Sequence, residues 1–138
     1  MFMIPRIAPL LCVLTLLAFA GLARAGEGDP GQIVTHQFDA FRVDDLDRAY
    51  SYASPMIQRY YGSAEGFGLM VERSYPMVRD PGKVRMLDLR EEGGRILQRV
   101  EILDSKGTLY LLDYEMIEGD DGWKINGVQF VAAPPLAT

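Results

Sequence analysis

The sequence predicts an α+β fold with N-terminal helices packed on one face of a curved antiparallel sheet, and three observations carry that prediction. Helix signals fill the chain from Asp29 to Tyr75 and strand signals follow from Lys83 to Val131, the segregated order that sets helices against an antiparallel sheet. Ile96, Gln98, Val100 and Ile102 alternate with Arg95, Leu97, Arg99, Glu101 and Leu103, which is the period of a strand with one buried face. One hairpin register satisfies every buried-face residue that follows. If Asp104 pairs with Thr108 around Ser105-Lys106-Gly107, with Gly107 left-handed, then Ile102 faces Tyr110, Val100 faces Leu112, Gln98 faces Tyr114 and Ile96 faces Met116. The same register sets Arg99 against Asp113 on the outer face, an opposite-charge cross-strand pair.

The helices are read from their ends. Asp29-Pro30-Gly31-Gln32 supplies an N-cap, a proline at the first helical position and the glutamine of a capping box. Ile33, Val34, Gln37, Phe38 and Phe41 then share one face, with His36, Asp39 and Arg42 off it. Asp44 or Asp45 caps a second helix whose stripe is Leu46, Ala49, Tyr50 and Ala53, and Pro55 stops it near Ser54. Ser54-Pro55 opens a third helix, carrying Met56, Ile57, Tyr60 and Tyr61 and ending at Gly62; Ser63 caps a fourth with Phe67, Met70, Val71 and Ser74 turned inward. Pro76 and Pro81 predict an extended connection, after which Lys83 to Arg90 reads as a strand turned back by Glu91-Glu92-Gly93-Gly94. Met86, Leu87 and Leu89 keep no single phase there, so its register stays open. In the last strand Trp123 and Ile125 share one parity and Val128 and Phe130 the other. A β-bulge at Asn126-Gly127 would bring all four to one side and bend the strand.

The ends of the chain read differently from its middle. Residues 1–6 carry one positive charge, residues 7–22 are apolar apart from Pro9 and Thr15, and Ala23-Arg24-Ala25 has small-x-small form, the pattern of a signal peptide cleaved after Ala25. The apolar stretch is short against the ~20 residues that an uncleaved membrane anchor needs. The expectation is an exported protein, periplasmic or secreted, with no membrane association after cleavage. A single domain over residues 26–131 and a flexible tail over residues 132–138 complete the expected organisation.

Composition excludes several functions. Without Arg6 and Arg24 the chain keeps 12 basic against 19 acidic residues, a formal charge near −7, which argues against nucleic acid or an anionic membrane as partner. Cys12 is the only cysteine; it lies in the apolar leader and lacks the small neighbour of a lipoprotein cysteine. The mature part therefore has no thiolate for catalysis or metal binding.

At this level the chain resembles a known superfamily. The element order, the curved sheet and Asp121-Gly122-Trp123-Lys124-Ile125 are similar to the nuclear transport factor 2-like superfamily, a cone-shaped fold shared with ketosteroid isomerase and scytalone dehydratase. Gln37 with Ala40-Phe41, Ala53-Ser54-Pro55, Phe67 with Met70-Val71, Tyr75-Pro76, Gln98-Arg99-Val100 and Gly122-Trp123 with Gly127-Val128 resemble, more narrowly, a bacterial family known as domain of unknown function 4864. That resemblance spans nearly all of the mature chain and implies a cone with a pocket, but no established activity.

The pocket candidates are the polar and aromatic groups that should face inward: Gln37, Gln98, Tyr110, Tyr114 and Trp123. They suit a small apolar ligand held by a few hydrogen bonds, or they satisfy one another and buried backbone. His36, the only histidine, lacks a helical-spaced partner for a metal, and no cofactor is implied. Asp113 and Glu115 would suit the general base of an isomerase, but the register turns both outward with Arg99. Asp44-Asp45-x-Asp47 lacks the glycine and distal glutamate of a calcium loop and reads as capping. Leu97, Leu103, Leu109 and Leu111 would form an outward row, and such a row suggests a homodimer through the outer sheet face. The expected function is non-catalytic binding of a small ligand or protein partner. A lyase or isomerase using the cone pocket, and a structural protein without a pocket, stay open.

Overall fold

A computed structural model describes residues 28–131. The expected leader with its cleavage point after Ala25, Cys12, and the tail from residue 132 lie outside the described residues. Five helices precede four strands: α1 Pro30–Arg42, α2 Leu46–Ser51, α3 Pro55–Tyr61, α4 Ala64–Ser74, α5 Pro76–Arg79, then β1 Lys83–Glu92, β2 Arg95–Leu103, β3 Leu109–Gly119 and β4 Gly122–Phe130. The strands form one antiparallel meander in the order β1-β2-β3-β4, so the fold is the expected α+β arrangement.

Local chemistry explains the helix boundaries. The Asp29 carboxylate accepts from Gln32 N at 2.9 Å and Asp29 N donates to Gln32 Oε1 at 3.2 Å, both halves of a capping box. Asp45, rather than Asp44, caps α2 by accepting from Arg48 N at 3.1 Å. Asp44 instead sits at a φ of 56° and pairs with Arg79 at 2.8 Å. Ser54 and Ser63 cap α3 and α4, and Gly62 ends α3 at a φ of 73°, a conformation that costs glycine nothing. Two expectations fail on the helical side. The segment after Tyr75 is not extended, because Pro76 at the first position of α5 starts a further turn that buries Met77 and Val78. Ser74, expected inward, is exposed in the last turn of α4.

The sheet follows the predicted pairing. Ile96 pairs with Met116, Gln98 with Tyr114, Val100 with Leu112 and Ile102 with Tyr110; Gly107 has a φ of 82° in the turn. In β1, Met86 pairs with Val100 and Leu89 with Gln98, so Leu87 and Asp88 together oppose Arg99. This bulge is why β1 shows no constant phase. The strand also runs two residues past Arg90, because Gly93 and Gly94, with φ of 59° and 77°, close a two-residue turn. A second bulge lies in β4: Glu115 pairs with Gly127 and Met116 with Ile125, leaving Asn126 as the extra residue. It carries Trp123, Ile125, Val128 and Phe130 to the helix-facing side, as expected.

The core lies between α1 and the concave side of the sheet. Val34, Phe38 and Phe41 meet Val100, Ile102, Leu112, Tyr114 and Met116, all at most 2 % exposed. Each such side chain contributes about 1.5–3 kcal/mol through its removal from water.

The outer face is not the expected row of exposed leucines. Leu109 is 55 % exposed, but Leu97 is buried at 3 %. Arg90 pairs across the strands with Leu97, and Leu97 shares one polar pocket with Arg90, Arg95 and Arg99. At their centre is Asp113, 4 % exposed. Arg90 donates to its two carboxylate oxygens at 3.1 and 2.7 Å and Arg99 at 3.2 Å to each. The Arg90 hydrogen bonds, opposed by burial and reinforced by Arg99, lower the Asp113 carboxyl to about 2.

A depressed carboxylate stabilises the folded state above its unfolded value and loses that contribution as pH falls through its folded one. We expect Asp113→Asn to cost about 2 kcal/mol in urea denaturation at neutral pH. Wild-type stability should fall between about pH 4 and pH 2 while the variant's profile there is flatter.

Candidate functional site

Beyond the packed core the helices stand away from the sheet and leave a cavity of about 320 Å³, within the size range of small-molecule sites. Its sheet wall is Tyr114 of β3 with Ile125, Asn126, Gly127 and Val128 of β4; its helix wall includes Gln37, Ile57, Phe67, Met70 and Val71. The bulge at Asn126 makes the β4 wall by bending the strand toward the helices. The mouth lies at α3, which has no buried residue and presents Met56 at 53 % and Tyr60 at 80 % exposure. This short helix is tethered at one end of the sheet. Ser54 N donates to Ile125 O at 2.8 Å, the Ser54 hydroxyl donates to Asn126 Oδ1 at 2.8 Å, and Gln58 Nε2 reaches Tyr50 O and Ala53 O at 3.1 Å each.

The polar groups of the cavity differ in how they are satisfied. Gln37, 4 % exposed, donates to Ala49 O at 3.1 Å, and the Tyr75 hydroxyl donates to Val128 O at 3.0 Å. Tyr114 has no exposure at all, and its hydroxyl finds no hydrogen-bond partner among the described residues. Burial pushes its phenol far above the usual tyrosine range, with Tyr75 adding to the shift. The hydroxyl is thus a protonated donor at any ordinary pH. Leaving it unpaired costs about 1–3 kcal/mol.

Of the residues singled out in the sequence, Gln37 and Tyr114 line this cavity, and Gln98, Tyr110 and Trp123 do not. Gln98 is spent on the β1 bulge, where its Nε2 donates to Leu87 O and Arg99 O at 2.9 Å each. Tyr110 shares the inward face of β3 but lies four residues from Tyr114, about 14 Å along the strand. Trp123 packs against the core at the start of β4. His36 is half-buried beside Tyr52, ring centroids 6.0 Å apart. Asp113 and Glu115 face outward with the arginines, Glu115 meeting Arg95 at 3.5 Å.

Asn126 was not singled out, although its signal was present. The parity switch that marks the bulge also identifies the residue it displaces, and Ser54 marks the cap that anchors it. No aspartate, glutamate, histidine, lysine or arginine is among the described residues that line the cavity. It can hold a molecule through shape and hydrogen bonds but offers no carboxylate or imidazole to move a proton.

The family model described as Domain of unknown function (DUF4864) matches residues 27–138. A search of curated proteins finds no match.

Because the apo protein bears the cost of an unpaired hydroxyl, Tyr114→Phe should unfold at higher temperature than wild type, a gain of about 1 kcal/mol by thermal or urea denaturation.

Proposed function

The chain belongs to this family of unknown function, and we propose that it is a non-catalytic module that binds a small, uncharged, largely apolar molecule between α3, α4 and the β3–β4 wall. The observation that carries this reading is a cavity of about 320 Å³ whose described lining is largely apolar and includes no charged side chain. The absence of an acid or base from the described lining favours binding over the lyase or isomerase alternative, because proton abstraction needs a carboxylate, an imidazole or a lowered lysine within reach.

We propose further that the family falls within the nuclear transport factor 2-like superfamily, supported by the helices-then-meander order and the bulged last strand. Export is supported by the apolar leader and Ala23-Arg24-Ala25. Intact mass of protein taken from its native host should then begin at Gly26, and a retained leader would refute it.

The binding reading is tested with the neutral fluorophore N-phenylnaphthylamine. Its emission should rise and saturate at one molecule per chain. Met70→Trp, which puts an indole into the cavity wall, should remove at least about nine-tenths of that rise while the circular dichroism spectrum is unchanged. No rise on wild-type protein refutes the pocket.

A further inference from the structure

Resting on the binding reading, we infer that α3 is a lid over the cavity, closed by a latch at Gln58 and opened by unwinding between two fixed ends. Four of its seven residues, Met56, Ile57, Tyr60 and Tyr61, line the cavity. Yet α3 alone among the described helices has no buried residue. Its apolar face is thus turned to the site, and neither side of the helix is closed off from water. A helix shorter than about 12–15 residues is marginal in water by itself, so α3 stays wound through what holds it from outside.

Both ends are pinned. Ser54 N donates to Ile125 O and the Ser54 hydroxyl to Asn126 Oδ1 at 2.8 Å each, while Ile125 N returns to Tyr52 O at 2.9 Å. At the other end Ser63 caps α4 by accepting from Gly66 N at 3.0 Å, and Phe67 and Val71 hold α4 in the core. Between these pins the helix spans about 10 Å, whereas seven residues drawn out reach about 23 Å. Unwinding therefore supplies the slack that clears the mouth without moving α4 or β4. Gly62 is the joint, with a φ of 73° and open space where a Cβ would stand. The latch is Gln58, which is not among the described residues lining the cavity. Its Nε2 donates to Tyr50 O and Ala53 O at 3.1 Å each, and its carbonyl accepts from the Tyr50 hydroxyl. These three bonds tie the middle of α3 to α2 and the turn that follows it. A molecule packed against Ile57 and Tyr61 favours the wound form, so occupancy and closure are linked.

Amide hydrogen exchange and stopped-flow release of N-phenylnaphthylamine test the lid. In the free protein the amides of residues 58–62 should exchange at least about tenfold faster than those of residues 67–71 in α4. Saturating probe should slow residues 58–62 by a larger factor than it slows β2 and β3. Gln58→Ala, which leaves the described lining intact, should speed probe release about fivefold and speed exchange of residues 58–62 while β2 and β3 keep their wild-type rates. Equal acceleration of the sheet would make Gln58 general scaffolding and overturn the latch. If the probe binds but protects residues 58–62 no more than the sheet, or leaves Gln58→Ala at the wild-type rate, the lid fails and the pocket stands. If the probe does not bind wild type, the pocket reading fails and this inference with it.

Discussion

The pairing of β2 with β3 is the constraint on which the rest of the molecule depends. Asp113 and Tyr114 are adjacent, so the pleat must send them to opposite faces. With Gln98 opposite Tyr114, the phenol is buried against Phe38 on the helix side and the carboxylate enters the arginine cluster. A slip of one residue would exchange them, putting an acid in the pocket and an aromatic ring outside. That β3 contributes no carboxylate to the described lining of the cavity is thus a consequence of strand register. Two independent devices hold that register: the left-handed Gly107 turn at one end, and the Arg90 and Arg99 bonds to Asp113 in the middle.

The two bulges then divide the work of shaping the sheet. The one in β1 is filled by Gln98, which donates into it. The one in β4 is left to the cavity, with Asn126 displaced from the ladder and linked to Ser54 at the cap of α3. One bulge thus absorbs a polar side chain into structure, and the other places one in the cavity wall. The bond between Ser54 and Asn126 also joins the mouth helix to the wall opposite it, so the geometry of the opening and of the β4 wall are set together.

The unpaired Tyr114 hydroxyl and the paired Asp113 carboxylate illustrate opposite uses of burial. Around Asp113 two guanidinium groups offset the desolvation of a charge, and the product is structural definition. Around Tyr114 burial is uncompensated by the described residues, at a cost of about 1–3 kcal/mol. In the polar cavity on the outer face, lined by Arg90, Glu92, Arg95, Arg99 and Asp113 among others, Asp113 and Glu92 meet arginines within the lining, and Arg95 meets Glu115 beside it.

Local patterns along the chain determined the order of the first four helices and the four strands, the caps at Asp29, Ser54 and Ser63, the β2–β3 register and the bulge at Asn126, because caps, turns and pleat parity are written in residues a few positions apart. Those same patterns placed Gln37 and Tyr114 on the inward faces, and tertiary structure put both in one cavity. They could not decide which inward polar group is used by the fold, since Gln98 was claimed by a bulge in β1 whose own phase was unreadable. Nor could they show that Arg90 would reach Asp113. Those outcomes depend on where β1 docks and how far α3 stands from the sheet, distances set by long-range packing rather than by neighbours in sequence.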